Sequence, residues 1–373
     1  MNTELLLQIT SFLIVFVSFL LAFFLLTVKS KNKIGNILLS SYLIIKAVNV
    51  SSYFYYKFID LPIELELLRM DIGSFLETPF LYLFVLSIIY SDFKIKKKYL
   101  IHFIPFLIVT IIQLPIFYFA NIETQNEFAD NYLYSNIGMF SITLAHLQNL
   151  MYIILIFKIL FKYKKILIEN HSISNDYNHR WLFQMNIILS FLFVVAIIKN
   201  SQKYGNTDTD LLLFRLSVAI GMLIFTCWLV LKALYAPKIF TGVDSQLRLN
   251  KTNASNQKKT NSTILKQVDK LNLFMLNHQP FLNPDFTIQQ LANQTQIDTR
   301  EISSIINHHL NQNFYEFVNQ YRIEEAKKVL LKNRELTILE VLYSVGFNSK
   351  STFNTQFKKT TKLTPTEYRR KNS

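Results

Sequence analysis

Between residues 5 and 235 the chain is written in long apolar runs broken by short polar stretches, whereas from residue 264 onward apolar residues come singly or in pairs, three or four apart. The first pattern predicts helices that are apolar all round, and the second predicts amphipathic helices packed on a small core. Runs near the roughly 20 residues needed to cross a bilayer fall at 5–28, 34–59, 72–90, 99–120, 137–161, 181–198 and 211–235. The second is the least apolar, because it carries Lys46 and Asn49. The first has no basic stretch before it and is too long for a signal-peptide core, so it reads as a retained span.

The polar breaks alternate in charge. KSKNK (29–33), FKIKKK (93–98) and KYKK (162–165) are basic, whereas DLPIELELLRMD (60–71), NIETQNEFADN (121–131) and NSQKYGNTDTD (200–210) carry few positive charges. If every run crosses, all the basic loops fall on one side, as expected of cytoplasmic loops. The expected topology is a multi-pass protein of a cytoplasmic membrane, N-terminus outside and C-terminal part in the cytoplasm. The predicted domains are a seven-helix transmembrane sensor at 1–240, a flexible linker at 241–263 (TGVDSQLRLNKTNASNQKKTNST) and a compact domain at 264–373. The overall class is all-α.

The compact domain repeats one local design. Thr287 and Gln290 form a capping box for a short helix, and Asp298 with Glu301 opens the next, with Ile302, Ile305, Ile306 and Leu310 inward and Arg300, Ser303, Ser304 and Asn307 outward. A long amphipathic helix follows Asn313. Thr337 and Glu340 then cap another short helix, Gly346 ends it, and Ser349 caps a helix that buries Phe353 and Phe357. Its outer face carries Lys350, Ser351, Asn354, Thr355 and Lys358. Two short helices joined by a turn, twice over, describe tandem helix-turn-helix units whose recognition helices span about 299–310 and 350–360. Arg300, Lys350 and Asn354 suit base edges, since Arg matches guanine acceptors and Asn pairs with adenine. Lys358, Lys359, Lys362 and Arg369 suit phosphates.

Composition narrows the chemistry. The 373 residues carry a formal net charge of +14 with only 17% charged residues, a balance that suits anionic lipid and nucleic acid. One cysteine, Cys227, and scattered histidines give no metal or cofactor spacing, and no nucleophile–base pair or phosphate loop points to an enzyme. Ionisable and amide groups inside the apolar runs are costly and therefore informative: Lys46, Glu77, His146, Asn149 and Arg215 are the candidates for sensing a signal, with Lys46 and Glu77 a pair. The alternative is that such groups hold the bundle together by interhelical hydrogen bonds.

The stretch VGFNSKSTFNTQFKKTTKLTPTEYRR (345–370) resembles the C-terminal signature of the AraC/XylS family of bacterial transcription regulators, and the resemblance extends back to about residue 263. It departs from that family at Leu342, where a small alanine is usual, and at Lys362, where glycine is usual. The resemblance implies two recognition helices in the major groove and again nominates Arg300, Ser303, Ser304, Lys350, Ser351, Asn354 and Thr355. The expected partners are double-stranded promoter DNA, membrane lipid and an unidentified small-molecule or envelope signal, with a homodimer compatible. A membrane receptor whose tail is a protein-interaction adaptor is the competing reading.

Overall fold

The structure is a computed structural model in which all residues are described except 1, 31, 91, 173–175, 202–207, 236–260 and 373. Among the described residues the regular structure is helical throughout. The chain divides into two compact units, one of residues 1–161 with 177–245, the other of 162–176 with 246–373. The linker expected at 241–263 lies outside the described residues up to 260, and Asn261–His278 is already helix.

The first unit is built from α1 (Thr3–Thr27), α2 (Lys33–Val50), α3 (Ile63–Ile89), α4 (Ile104–Gln113), α5 (Ile122–Asn131), α6 (Asn136–Asn170, whose last residues belong to the second unit), α7 (Asp176–Ser201) and α8 (Asp208–Tyr235). Seven helices among the described residues are long and apolar enough to cross a membrane: Thr3–Thr27, Lys33–Tyr53, Ile63–Ile89, Lys97–Tyr118, Asn136–Asn170, His179–Ile198 and Leu212–Lys232. Helix α3 starts well before residue 72 because Glu64 and Glu66 occupy its first turn, where carboxylates meet the positive end of the helix dipole. The same polarity hides that turn from hydropathy. Likewise α5 lies in the stretch expected to be a loop, opened by Asn121 accepting from the Thr124 N–H at 2.9 Å.

Packing in this unit is inside out relative to a protein in water. On α1, Ser11 and Ser18 are fully buried while Phe16 and Phe23 are 56% and 70% exposed. Helix α1 packs on α2 and α8, and α2 on α3. Polar bonds between helices accompany these contacts. Asn36 Nδ2 donates to the Leu25 carbonyl at 2.9 Å, and Ser40 Oγ donates to the Ala22 carbonyl at 3.2 Å. Pro79 sits inside α3 and has no N–H to offer Phe75, four residues back. Gln148 Nε2 of α6 donates to that freed carbonyl at 2.7 Å.

The second unit continues with α9 (Asn261–His278), α10 (Ile288–Thr295), α11 (Thr299–Ser304), α12 (Phe314–Lys332), α13 (Ile338–Ser344), α14 (Lys350–Thr361) and α15 (Pro365–Lys371). It has two apolar cores. Leu271, Met275, Leu291, Ile302, Ile306 and Phe317 centre the first; Leu330, Val341, Leu342, Phe347, Phe353 and Phe357 centre the second. Helix α12 serves both, giving Phe314, Phe317 and Val318 to the first and Ile323, Ala326 and Leu330 to the second. Leu342 is accommodated with no exposed surface.

Two left-handed residues, one between the helices of the second pair and one after it, predict opposite outcomes. Gly346 has φ +87°, and a Cβ there would lie 2.5 Å from the Phe281 carbonyl oxygen and 2.8 Å from that of Leu282. Gly346→Ala is expected to destabilise the unit by at least about 2 kcal/mol, from αL strain plus the collision. Lys362 closes α14 at φ 63°, a conformation that penalises any Cβ. Lys362→Gly is expected to raise stability by about 0.5–1 kcal/mol. Urea unfolding of the two variants beside the parent checks both signs.

Candidate nucleic-acid interface

The first helix pair is set by its caps. Thr287 Oγ1 accepts from the Gln290 N–H while the Gln290 side chain accepts from the Thr287 N–H, so two orphan donors of α10 are satisfied together. Gln296 turns the chain in the left-handed region, and Asp298 caps α11. The cap differs from the expected box: Asp298 accepts from the Arg300 N–H at 2.8 Å, and the Glu301 carboxylate pairs with Gln267 of α9. After Ser304 the helix widens into a π turn, Ile305–His309. Arg300 is exposed and Ser304 and Asn307 are half-buried, as an outward face requires. Ser303 is not on that face. It is 3% exposed and its hydroxyl accepts from Asn307 Nδ2 at 3.2 Å, so it orients Asn307 from behind.

The second pair repeats the plan with better closure. Thr337 and Glu340 form a full capping box, Gly346 turns the chain, and Ser349 Oγ accepts from the Thr352 N–H to start α14. Phe353 and Phe357 are fully buried, which rotates Lys350, Ser351, Thr355 and Lys358 into solvent and leaves Asn354 half-buried beside them. Thr355 donates to the Ser351 carbonyl at 2.8 Å, so the side it offers outward is its methyl and oxygen lone pairs. The two outward faces differ in charge. KSTFNTQFKKTTK (350–362) is basic with no acid, whereas TREISSIINHHL (299–310) balances Arg300 with Glu301. Long-range attraction to phosphates therefore concentrates on the second helix pair.

Lys359 is committed elsewhere than expected. Its Nζ lies 2.9 Å from Glu316 Oε1, and Glu316 also completes the capping box of α12 with Asn313, so one carboxylate ties α14 to the start of α12. The hydrogen bond from Lys359, reinforced by the cap, holds the Glu316 carboxyl below the usual range. The phosphate candidate Arg369 donates to the Arg334 carbonyl at 3.5 Å.

The sequence reading missed Arg322. Its side chain has no exposed surface, and the guanidinium donates to the carbonyls of Phe281 at 2.7 Å, Ser172 at 2.9 Å, Asn283 at 2.9 Å and Pro284 at 3.4 Å, to Ser172 Oγ at 3.1 Å and to Asn319 Oδ1 at 3.3 Å. Burial pushes its pKa down to about 10, against the pull of Tyr315 and Asp285. The Ser172 N–H in turn donates to the Phe286 carbonyl at 3.0 Å, and His171 makes an isolated antiparallel bridge with Thr287. A segment from the connection after α6 is thereby built into the same unit as the helix pairs. The signal was in the periodicity: Val318, Arg322, Ala326 and Leu330 recur every four residues, placing a cation on the apolar stripe.

In the first unit the expected pair forms, with Lys46 Nζ 3.0 Å from Glu77 Oε1 and 3.1 Å from the Tyr42 hydroxyl. Thr78 Oγ1 donates to Asn149 Oδ1 at 2.8 Å. Glu77 and Asn149 line a cavity of about 130 Å³, and His146 packs its ring on Phe193 of the cavity wall at 5.8 Å. Arg215 does not line this cavity; it is half-buried within electrostatic reach of Tyr53. Among the described residues no cluster of His, Cys, Asp and Glu is arranged to hold a metal.

Comparison with known proteins locates the likeness in the second unit. Residues 291–371 match the family model described as "Helix-turn-helix domain", the AraC-type form. The chain is 33% identical over 87 residues to the "Uncharacterized HTH-type transcriptional regulator YdeC" of Bacillus subtilis (strain 168), covering 23% of this chain and 30% of that protein. It is 49% identical over 51 residues to the "Uncharacterized HTH-type transcriptional regulator in cgkA 5'region" of Pseudoalteromonas carrageenovora, covering 14% of this chain and 29% of the other. The chain thus spans less than a third of the length of each relative. No solved structure matches.

Two consequences follow for stability. Arg322→Met, close in length but without donors, leaves the buried carbonyls of Phe281 and Ser172 unpaired, and is expected to cost about 3 kcal/mol or more in urea unfolding. The Glu316 carboxyl has a depressed folded pKa against an ordinary value of 4.5. Its contribution is therefore present above pH about 4.5 and lost as pH falls through the lower folded value. Acid unfolding of Glu316→Gln is expected to lack that part of the pH dependence, while Lys327→Met, whose pair with Glu324 is an i,i+3 surface contact, keeps it.

Proposed function

We propose that the chain is a membrane-anchored, one-component transcription regulator that binds specific DNA sequences through α11 and α14 under the control of a signal sensed by its membrane unit. The observation that carries the DNA half is the paired design of capped two-helix units, each with a polar outward face, matched over 291–371 to a helix-turn-helix family. The observation that carries the membrane half is the inverted burial of α1, serines inside and phenylalanines outside, in a unit with seven helices of spanning length.

In this reading 1–240 is the transmembrane sensor, 241–263 the tether and 264–373 the DNA-binding domain, with the N-terminus outside and the basic loops and DNA-binding domain in the cytoplasm. Arg300, Lys350 and Asn354 read base edges; Ser304, Asn307, Ser351 and Thr355 line the two grooves; Lys358 meets phosphate. Ser303 acts through Asn307. The two recognition helices on a shared rigid α12 suit successive major-groove faces, about 34 Å apart along the duplex, so one chain can read an asymmetric site. Lys46, Glu77 and Asn149 belong to the sensing region. The role is regulatory rather than enzymatic.

The test is selection from random duplex DNA with the full chain in lipid nanodiscs, followed by titration of the parent and Arg300→Ala/Asn354→Ala at several salt concentrations. Selective binding is expected, with log K falling steeply with log salt, and the double variant losing roughly 1–3 kcal/mol of discrimination per lost base contact. Lys358→Ala is expected to weaken binding equally on all sequences and to lower the salt slope by about one. Absence of selection from a folded chain favours the protein-adaptor reading.

A further inference from the structure

The basic face of α14 carries an acid that its own sequence does not contain. Ser351, Thr355, Lys359 and Lys362 follow one another at helical spacing, all exposed, on the side of α14 away from the buried Phe353 and Phe357. Lys359 is thus a neighbour of residues that face the duplex in the reading above, and its Nζ lies 2.9 Å from Glu316 Oε1 at the start of α12. An exposed ion pair contributes little by itself, so a phosphate can compete for the lysine. The carboxylate is anchored and stays behind. Its Oε2 accepts from Asn313 Nδ2 at 2.9 Å and from the Asn313 N–H at 3.4 Å, closing the cap of α12. The hydrogen bond from Lys359 holds the carboxyl below its usual range, so it is charged at neutral pH. Whether Nζ stays on Glu316 or swings to the DNA, one negative charge remains at the edge of the recognition helix. Glu367, within electrostatic reach of Lys358, is likewise tied into the capping box of α15 with Thr364.

We propose that Glu316 is a positioning residue of the DNA interface that cancels the charge of Lys359, so that α14 attracts phosphates with one cation fewer than its sequence carries. Sequence-independent binding comes almost wholly from cations on phosphates. Each cation cancelled therefore lowers the affinity for any duplex and leaves the base contacts of Arg300, Lys350 and Asn354 untouched. Glu316 thereby keeps a larger share of the binding in contacts that depend on sequence. The fold fixes the acid in this role, because the same side chain caps α12 and ties it to α14. The proposal rests on the reading of the second unit as a DNA-binding domain, and it assigns a residue outside both recognition helices to that interface.

The full chain in nanodiscs is titrated with its selected duplex and with a shuffled duplex of the same composition, across a salt series. Glu316→Gln removes the charge and keeps the cap, because glutamine also closes a capping box. It is expected to bind both duplexes more tightly at low salt and to steepen the slope of log K against log salt by about 0.9. Over a fourfold rise in salt its affinity then falls roughly 3.5-fold further than that of the parent, on both duplexes alike. Glu316→Gln/Lys359→Met removes both charges and is expected to return the slope to that of the parent. If Lys359 met phosphate unopposed, the double variant would instead lose about one unit of slope, as Lys358→Ala does. A structural role alone lowers the melting temperature of Glu316→Gln and leaves its slope where it was. A thermal melt establishes that each variant is folded, and Glu316→Ala, which keeps the half of the box that the Asn313 side chain supplies, serves where Glu316→Gln proves unfolded. An unchanged slope on loss of the Glu316 charge, or a slope reduced by about one in the double variant, overturns the proposal. The parent separates the two readings. A parent that binds neither duplex removes the DNA-binding reading and this proposal with it, whereas a parent that selects its duplex while Glu316→Gln keeps the parental slope removes the proposal alone.

Discussion

A polar group withdrawn from water must find a partner inside the protein, and the architecture depends on how that rule is met at Arg322. A guanidinium with no exposed surface, and no carboxylate among its hydrogen-bonding partners, is tolerable only because carbonyl, hydroxyl and amide oxygens surround it. Those oxygens belong to the turn that precedes α10, to the connection that follows α6 and to α12 itself. One side chain thereby fixes the spacer helix against the entry to the first helix pair. Phe347, from the second core, lies under the cation at 5.6 Å, so the node reaches both cores. Gly346 completes the junction, because only a residue without Cβ lets that turn approach the Phe281 and Leu282 carbonyls.

The first unit also keeps polar side chains inside. Its outside is phenylalanine and leucine, and its inside holds the serines, asparagines, glutamines and the Lys46–Glu77 pair. Backbone carbonyls of neighbouring helices receive several of these side chains, those of Asn36, Ser40, Gln148 and Asn186. Several amide oxygens keep no partner, among them those of Asn36, Gln113, Gln148 and Asn186.

Much of this was legible in the sequence because the relevant patterns are local. Capping boxes at Thr287 and Thr337, the left-handed Gly346, and the burial of Phe353 and Phe357 follow from spacing and residue type. The ends of elements were less legible where charge overrides hydropathy: α3 begins among glutamates, and α6 continues through Lys162, Lys164 and Lys165 to Asn170. Ser303 was misplaced because a period of 3.6 puts it at the margin of the apolar stripe, where burial depends on the neighbouring helices rather than on its own. Glu301 leaves its expected cap because Gln267 of α9 is within reach, a contact between residues distant in sequence. Arg322 was visible as a cation on an apolar stripe, but its partners, Ser172 above all, come from a part of the chain that no local pattern links to it. Lys362 shows the converse: a departure from the expected glycine in the sequence, with the backbone still held at φ 63°.

The central claim is that DNA recognition is exercised by a protein seated in a bilayer, and vesicle flotation tests it most directly. The full chain is reconstituted into liposomes, mixed with its selected duplex and with a shuffled duplex of the same composition, and centrifuged through a sucrose gradient. The account predicts that the selected duplex rises with protein and lipid while the shuffled duplex remains below. A chain that stays at the bottom, or one that floats without carrying the selected duplex, would contradict it.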